Sequence, residues 1–266
     1  MAATKGPEMT SELVRSEVRD GVAVVVLDDP ARRNVLSSEL VTALLAAYDR
    51  AESDPEVRVV VLAAAGPAFC AGAELVTLER AGAGDLAGVE EVYGAFLRVA
   101  ESPLVTIAAV GGPAVGAGFN LALACDVRLA SRAASFDARF VQMHLHPGGG
   151  HVWMLERAIG RQGATMVALF GERLDADAAL RAGLVWRVYD DGDELLDAAV
   201  GLGARLRGHD RDFVRALTST LRGAGGTAGH GDAVEHERRQ QRWSMTRPRF
   251  QESIRAARRR IEGTRD

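Results

Sequence analysis

Cysteine is scarce in this chain of 266 residues: Cys70 and Cys125 are the two present, each among small apolar neighbours that suit a buried free thiol. A disulfide framework is therefore not expected, and a reducing compartment, the cytoplasm, is the simpler setting. No stretch approaches the roughly 18 consecutive apolar residues of a membrane-spanning helix, and Met1 to Ser11 lacks the apolar core of a secretory leader. Neither charge sign dominates. A net charge of −4 and a pI near 5.9 give no reason to expect a nucleic-acid groove or a membrane surface as partner. The Gly-x-Ser-x-Gly elbow of the serine hydrolases is missing, and the glycines from Gly111 to Gly118 lack the Gly-x-Gly-x-x-Gly spacing of a dinucleotide site. No internal repeat or low-complexity segment occurs. What remains, at 47% hydrophobic and 26% charged residues, suits one globular domain able to bury a sizeable core.

Strand and helix patterns alternate through the first half. Gly21 to Leu27 is a β-branched run that stops at Asp28-Asp29-Pro30. Ser37 is placed to cap a helix whose apolar residues recur at Leu40, Val41, Leu44, Leu45 and Tyr48. Val57 to Ala63 and Val105 to Val110 read as buried strands. Helical spacing runs weakly from Leu75, breaks over Ala81 to Gly84, and resumes from Leu86 to Val99; the break beside a turn suits either a mobile cover or a plain surface loop. Asp126 to Ala130 and Ser135-Phe136 are further strand candidates. Beyond His151 the pattern is mostly helical: Val152 to Ile159, Gln162 to Phe170, Ala176 to Arg181, Leu195 to Leu206, Asp212 to Leu221, and Ala233 to Glu262 with a break at Pro248. One β-type run, Leu184 to Val188, interrupts it, and Gly223 to Gly231 reads as a hinge. The pattern predicts an α/β core with a helical C-terminal region.

The centre of the chain is Val105 to His151. There an apolar strand meets Gly111-Gly112-Pro113, and the small-residue turn Ala114-Val115-Gly116-Ala117-Gly118 opens an apolar helix. The first turn of a helix has no internal acceptors for its N–H groups, so such a turn suits a bound oxyanion. A second turn of this kind, Gly66-Pro67-Ala68-Phe69-Cys70-Ala71-Gly72-Ala73-Glu74, lies upstream, again between strand and helix patterns. The pair resembles the two oxyanion-hole motifs of the crotonase family, the enoyl-CoA hydratase and isomerase superfamily, and the likeness runs from about Gly21 to the end of the chain. The resemblance implies a crotonase-like spiral of ββα units with a helical C-terminal trimerisation region. On that basis residues 1–12 are a tail, 13–205 the core with an acyl-CoA pocket, and 206–266 the region that joins subunits into a homo-oligomer, a trimer or dimer of trimers. It implies acyl-CoA chemistry of the lyase or isomerase kind found in fatty-acid metabolism, with the coenzyme A thioester as substrate or ligand and no other cofactor and no metal.

Carried over to this sequence, the thioester oxygen would sit between the backbone N–H groups of Ala73 and Ala117. Ala71 and Gly116 line the same turns. At the nucleotide end Arg33 and Val35 match the segment that approaches coenzyme A, and Arg260 matches a family Lys that reaches a neighbour's cofactor. The departures are as telling. The two hydratase glutamates fall at Asn120 and Phe140, neither of which can exchange a proton, although Asn120 can orient a water or hydrogen-bond a thioester and Phe140 dries the acyl end. Pro67 stands where relatives are often basic, and Ala257 where the family has an aromatic. The nearest proton carriers are His144, His146 and His151. His144 and His146 share a face if their loop is extended, and His146 is held extended by Pro147, so these two are the acid-base candidates, with His151 the more structural. The same histidines could instead cap the helix, satisfy loop carbonyls, pack at an interface, or together hold zinc. Glu74 is either an acid at the pocket mouth or a helix N-terminal charge. Two functions stay open: an acyl-CoA enzyme with a nonstandard acid-base set, using hydratase, isomerase, hydrolase or decarboxylase chemistry, or a non-catalytic acyl-CoA-binding protein.

Overall fold

β-branched residues build the sheet on which everything else rests. In the computed structural model, which describes residues 13–223 and 229–262, β1 (Val14–Arg19) and β2 (Val22–Leu27) form an antiparallel hairpin. Asp20 and Gly21 turn it with φ of +50° and +79°, the left-handed pair that a two-residue hairpin turn needs. β3 (Val59–Ala64) and β4 (Val105–Val110) then add in parallel, followed by β6 (Val127–Ser131) and β9 (Arg187–Tyr189), in the order β1-β2-β3-β4-β6-β9. Alternation along each strand divides the side chains between two cores. Val22, Val24, Val59, Val61, Ile107 and Leu129 pack on one face with Leu195 and Ala199 of α7 (Gly192–Ala204). Ala23, Val25, Leu27, Val60, Leu62, Ala108 and Val110 face the larger core on the other side.

That larger core is closed by α1 (Ser38–Ser53), α3 (Ala87–Ala100) and α4 (Ala117–Leu123). α1 starts where the sequence says it should: the Ser37 hydroxyl accepts a hydrogen bond from the Leu40 N–H at 3.3 Å, and Leu40, Leu44, Ala47, Tyr48 and Ala51 form its buried stripe. α2 (Leu75–Gly82) and α3 are separated at the Gly-rich break, with Gly84 at φ +97°. A second sheet is made of β5 (Pro113–Val115), β7 (Ser135–Asp137) and β8 (Leu174–Asp175). α5 (His151–Ala168) is interrupted at Gly160, φ +71°, so the two helices expected there meet at a kink. α6 is Ala176–Arg181.

Four strands depart from the sequence reading. β1 was not expected, because Val-Arg-Ser-Glu-Val-Arg is mostly polar; it is an edge strand in which Val14 is the one buried residue. β5 and β8 are too short for a pattern to show. In Leu184 to Val188 the buried Leu184 and Val185 precede the strand, which pairs over Arg187–Tyr189.

The chain divides at residues 207/208 into two compact units. The second contains α8 (Arg211–Gly223), α9 (His230–Met245) and α10 (Pro248–Glu262). Pro248 separates the last two, as its missing N–H and fixed φ require. Arg247 holds α8's start by bonding Asp210 and Asp212 at 2.9 and 2.8 Å. The expected tail and most of the expected hinge fall outside the described residues. No described helix is long and apolar enough to cross a membrane.

Candidate active site

The two Gly-rich turns are zipped together by their backbones. Phe69 and Cys70 donate to the Pro113 carbonyl at 3.0 and 3.2 Å, and Val115 donates to the Cys70 carbonyl at 3.0 Å. Glycine is required at the crossing. A Cβ on Gly118 would stand 2.2 Å from the Cys70 carbonyl oxygen, and one on Gly72 would stand 2.7 Å from the Val115 oxygen. Gly72 and Gly116 take the positive φ of the turns, +95° and +54°, so Ala73 and Ala117 need none and their Cβ atoms are tolerated. The same geometry brings the two turns against each other next to Ala73 and Ala117: a Cβ on Gly72, the residue before Ala73, would lie 3.4 Å from the Ala117 nitrogen. Ala117 is the first residue of α4, and neither its N–H nor that of Ala73 has a hydrogen-bond acceptor among the described residues. Two half-exposed, uncommitted donors side by side can stabilise an oxyanion.

One turn along α4 from Ala117, Asn120 is buried with both polar atoms engaged. Nδ2 donates to the Gly148 carbonyl at 3.1 Å, and Oδ1 lies 2.6 Å from Nδ1 of His151. Both contacts hold the Asn120 side chain in place beside His151. His151, the first residue of α5, is wholly buried, edge-on to Phe119 and Phe140 at ring distances of 5.4 and 5.0 Å. Burial pushes its pKa down to about 4, so the imidazole is neutral at neutral pH. Its Nε2 is buried and has no hydrogen-bond partner among the described residues. Phe140 is half-exposed and packs against the core. Tyr93 and Phe96 complete the surroundings: a side chain at Gly148 or Gly149 would collide with one or the other.

Residues 17–260 match the profile of the enoyl-CoA hydratase/isomerase family. The chain belongs to that family. It is 48% identical over 218 residues to the Mycobacterium tuberculosis (strain ATCC 25618 / H37Rv) protein named probable enoyl-CoA hydratase EchA14, covering 81% of this chain and 83% of that one. It is 37% identical over 200 residues to 1,2-epoxyphenylacetyl-CoA isomerase of Escherichia coli K12, covering 73% and 76%. Among solved structures, enoyl-CoA hydratase from Bacillus anthracis superposes with a TM-score of 0.86 at 26% identity over 93% of this chain and 96% of that one. The crotonase fold expected from the paired turns is thus the fold found.

The remaining candidates of this hydratase/isomerase family member are distributed unevenly. Arg33 is exposed, and its carbonyl accepts from the Ala71 N–H at 3.0 Å; Val35 is half-buried beside it, and Leu36 donates to the Gly72 carbonyl at 2.8 Å. The segment after β2 is therefore strapped to the first Gly-rich turn. Sequence reasoning missed the residue that ties the strap. Asn34 is wholly buried; its Oδ1 accepts from the Asp29 N–H at 2.8 Å and its Nδ2 donates to the Ala65 and Ala68 carbonyls, each at 2.9 Å. Arg33 and Asn34 both have positive φ, +57° and +54°, and an Asn in a turn is the signal that could have found it. Glu74 precedes α2 and meets Arg32 at 3.3 Å. Arg260 lies exposed in α10 of the second unit.

His144 and His146 do not join the buried pair. The loop is not extended there: His144 follows a turn of 3-10 helix with φ +51°, and both rings are exposed. His146 Nδ1 instead donates to the Pro147 carbonyl at 2.8 Å. With His151 buried apart from them, the three histidines do not gather, and no metal-binding cluster occurs among the described residues.

Proposed function

We propose that this protein binds an acyl-CoA with its thioester oxygen between the N–H groups of Ala73 and Ala117 and stabilises the enolate that forms there. The observation that carries this reading is the apposition of two uncommitted amides on backbone-zipped turns. Such donors are preorganised, so they gain strength as charge develops on the oxygen; losing one costs about 10² to 10³ in rate in comparable sites. Arg33, Val35 and the Ala71 and Gly116 turns hold the coenzyme end, with Arg260 reaching the coenzyme A of a neighbouring subunit. The resemblance to proteins named as a hydratase and as an isomerase supports acyl-CoA chemistry of those classes.

Simple hydration is disfavoured by the residues present. A well-placed acid or base is worth about 10² to 10⁴ in rate, and Asn120 and Phe140 supply neither. Isomerisation moves a proton as well, so the same lack weighs on it; the reaction that fits is one in which the oxyanion hole does most of the work and solvent or the substrate itself carries the proton. A second reading, binding without chemistry, is favoured by the same two positions. Calorimetry with butyryl-CoA and turnover of an enoyl- and epoxyacyl-CoA panel followed by mass spectrometry separate them. No heat with any ester at millimolar concentration removes the binding reading; binding without any product leaves the second. Crotonyl-CoA hydration above about 10 per second would show that the acid-base groups are misassigned. Self-assembly through the C-terminal helices is part of the reading, supported by exposed Phe213, Leu217 and Leu221 on α8, as is a reducing compartment, supported by two buried free thiols.

A further inference from the structure

The Asn120–His151 pair fixes its own protons. The Gly148 carbonyl can only accept, so the Asn120 atom facing it is the Nδ2 amide, and Oδ1 faces His151. An amide oxygen also only accepts. His151 Nδ1 therefore carries the hydrogen, and in the neutral ring Nε2 presents a bare lone pair. That atom is buried with no partner among the described residues, a state that disfavours the fold unless something else supplies the donor.

Water is a poor candidate for that donor. A buried water needs two to four polar partners, whereas the rings flanking His151 are Phe119 and Phe140. A hydroxyl already tethered by a longer molecule needs one acceptor only. The tether is at hand, since Asn120 follows Ala117 by one turn of α4 and His151 packs edge-on against the partly exposed Phe140. From this we infer that His151 is a specificity-determining residue: its Nε2 accepts a hydrogen bond from a hydroxyl on the acyl group, selecting hydroxyacyl-CoA over plain acyl-CoA, with Asn120 as the positioning residue that holds the tautomer. The inference rests on the thioester-site reading above. The low basicity that burial gives the ring fits an acceptor that keeps its lone pair and does not remove the proton.

The test compares Kd values for butyryl-CoA and for its 2-, 3- and 4-hydroxy forms by calorimetry. His151→Asn keeps a donor where Nδ1 stood and deletes the Nε2 acceptor; His151→Gln returns an oxygen near the Nε2 position. The wild type is expected to prefer one hydroxybutyryl-CoA by about 10-fold, the range of a single neutral hydrogen bond. In H151N the preference ratio falls toward 1, and in H151Q part of it returns. A merely structural His151 would weaken all esters together and leave the ratio. In the wild type alone, the ¹⁵N shift of Nε2 should move with the preferred hydroxybutyryl-CoA and not with butyryl-CoA, which serves should H151N not fold. Butyryl-CoA binding with no hydroxyl preference, an unchanged ratio in folded H151N, or an unmoved Nε2 shift overturns the assignment alone. Absence of binding by every ester overturns it together with the thioester-site reading.

Discussion

Removing the titration of His151 should flatten the acid side of the stability curve. The ring is wholly buried, and desolvation lowers its pKa from 6.5 to about 4. Above pH 6.5 both the folded and unfolded chains hold it neutral, and its contribution is fully present. Below that the unfolded chain takes up a proton while the folded one refuses it, so stability is lost as the pH falls, until the folded ring also protonates near pH 4. At 1.36 kcal/mol per unit the loss totals about 3 kcal/mol, of which about 2 kcal/mol is reached by pH 5. Carboxylates titrate in the same window, so the informative quantity is the gap between the wild type and His151→Gln, whose amide does not titrate. Urea unfolding followed by tryptophan fluorescence at pH 7.5, 6.5, 5.5 and 5.0 measures it. H151Q is expected to be the less stable protein at pH 7.5 and to close the gap by about 2 kcal/mol at pH 5. A gap constant within about 0.5 kcal/mol across that range would refute the claim that the folded imidazole is held neutral.

Gly118→Ala forces a Cβ to 2.2 Å from the Cys70 carbonyl oxygen, where both partners are backbone; it should cost about 3 kcal/mol or more and lower Tm by about 10 °C, measured by calorimetric scan. Asn34→Ala strands buried partners on both sides of the strap and should cost about 2 to 3 kcal/mol by urea unfolding, with weaker acyl-CoA binding as its companion. Cys70, buried and with its thiol pushed up to about 12, and the buried Cys125 should not react with a thiol reagent at pH 8 until denaturant is added. His144→Ala and His146→Ala, both on exposed rings, should shift acyl-CoA affinity by less than about twofold; a larger loss would return the loop histidines to the site.

The sequence made the sheet and the oxyanion turns legible because each has a local cause. β2 and β3 are continuous apolar runs and β4 is one but for Thr106, as strands buried on both faces must be, and Gly72 and Gly118 sit where backbones cross. The Asp20-Gly21 hairpin was equally local and went unread, since β1 offers little alternation to frame it. The inner end of the site was not legible. Whether His146 or His151 is buried beside Asn120 depends on a left-handed residue at His144 and on where α5 begins, neither of which spacing reveals. Asn120 and His151 are 31 residues apart and meet only because α4 and the start of α5 pack together. Asn34 was hidden for the same reason, because its partners Ala65 and Ala68 are 31 and 34 residues away, beyond the neighbouring strand β3.

The zipper between Cys70 and Ala114 separates two tasks along the chain. Since β3 and β4 are neighbours in the sheet and the turns that follow them bind each other directly, the separation of the Ala73 and Ala117 amides is set without help from the stretch that connects them. α2 and α3 occupy that stretch, with the Gly-rich break between them. Length and sequence over α2 and the break, where no helical residue is buried, are free to drift while the separation of those amides stays fixed; α3 is tied to the core by Val92, Ala95, Phe96 and Val99. An engineer could exchange residues 75–86 between relatives as a cassette, reshaping what the pocket admits without disturbing the turns, in the way interchangeable loops are exchanged on an antibody frame.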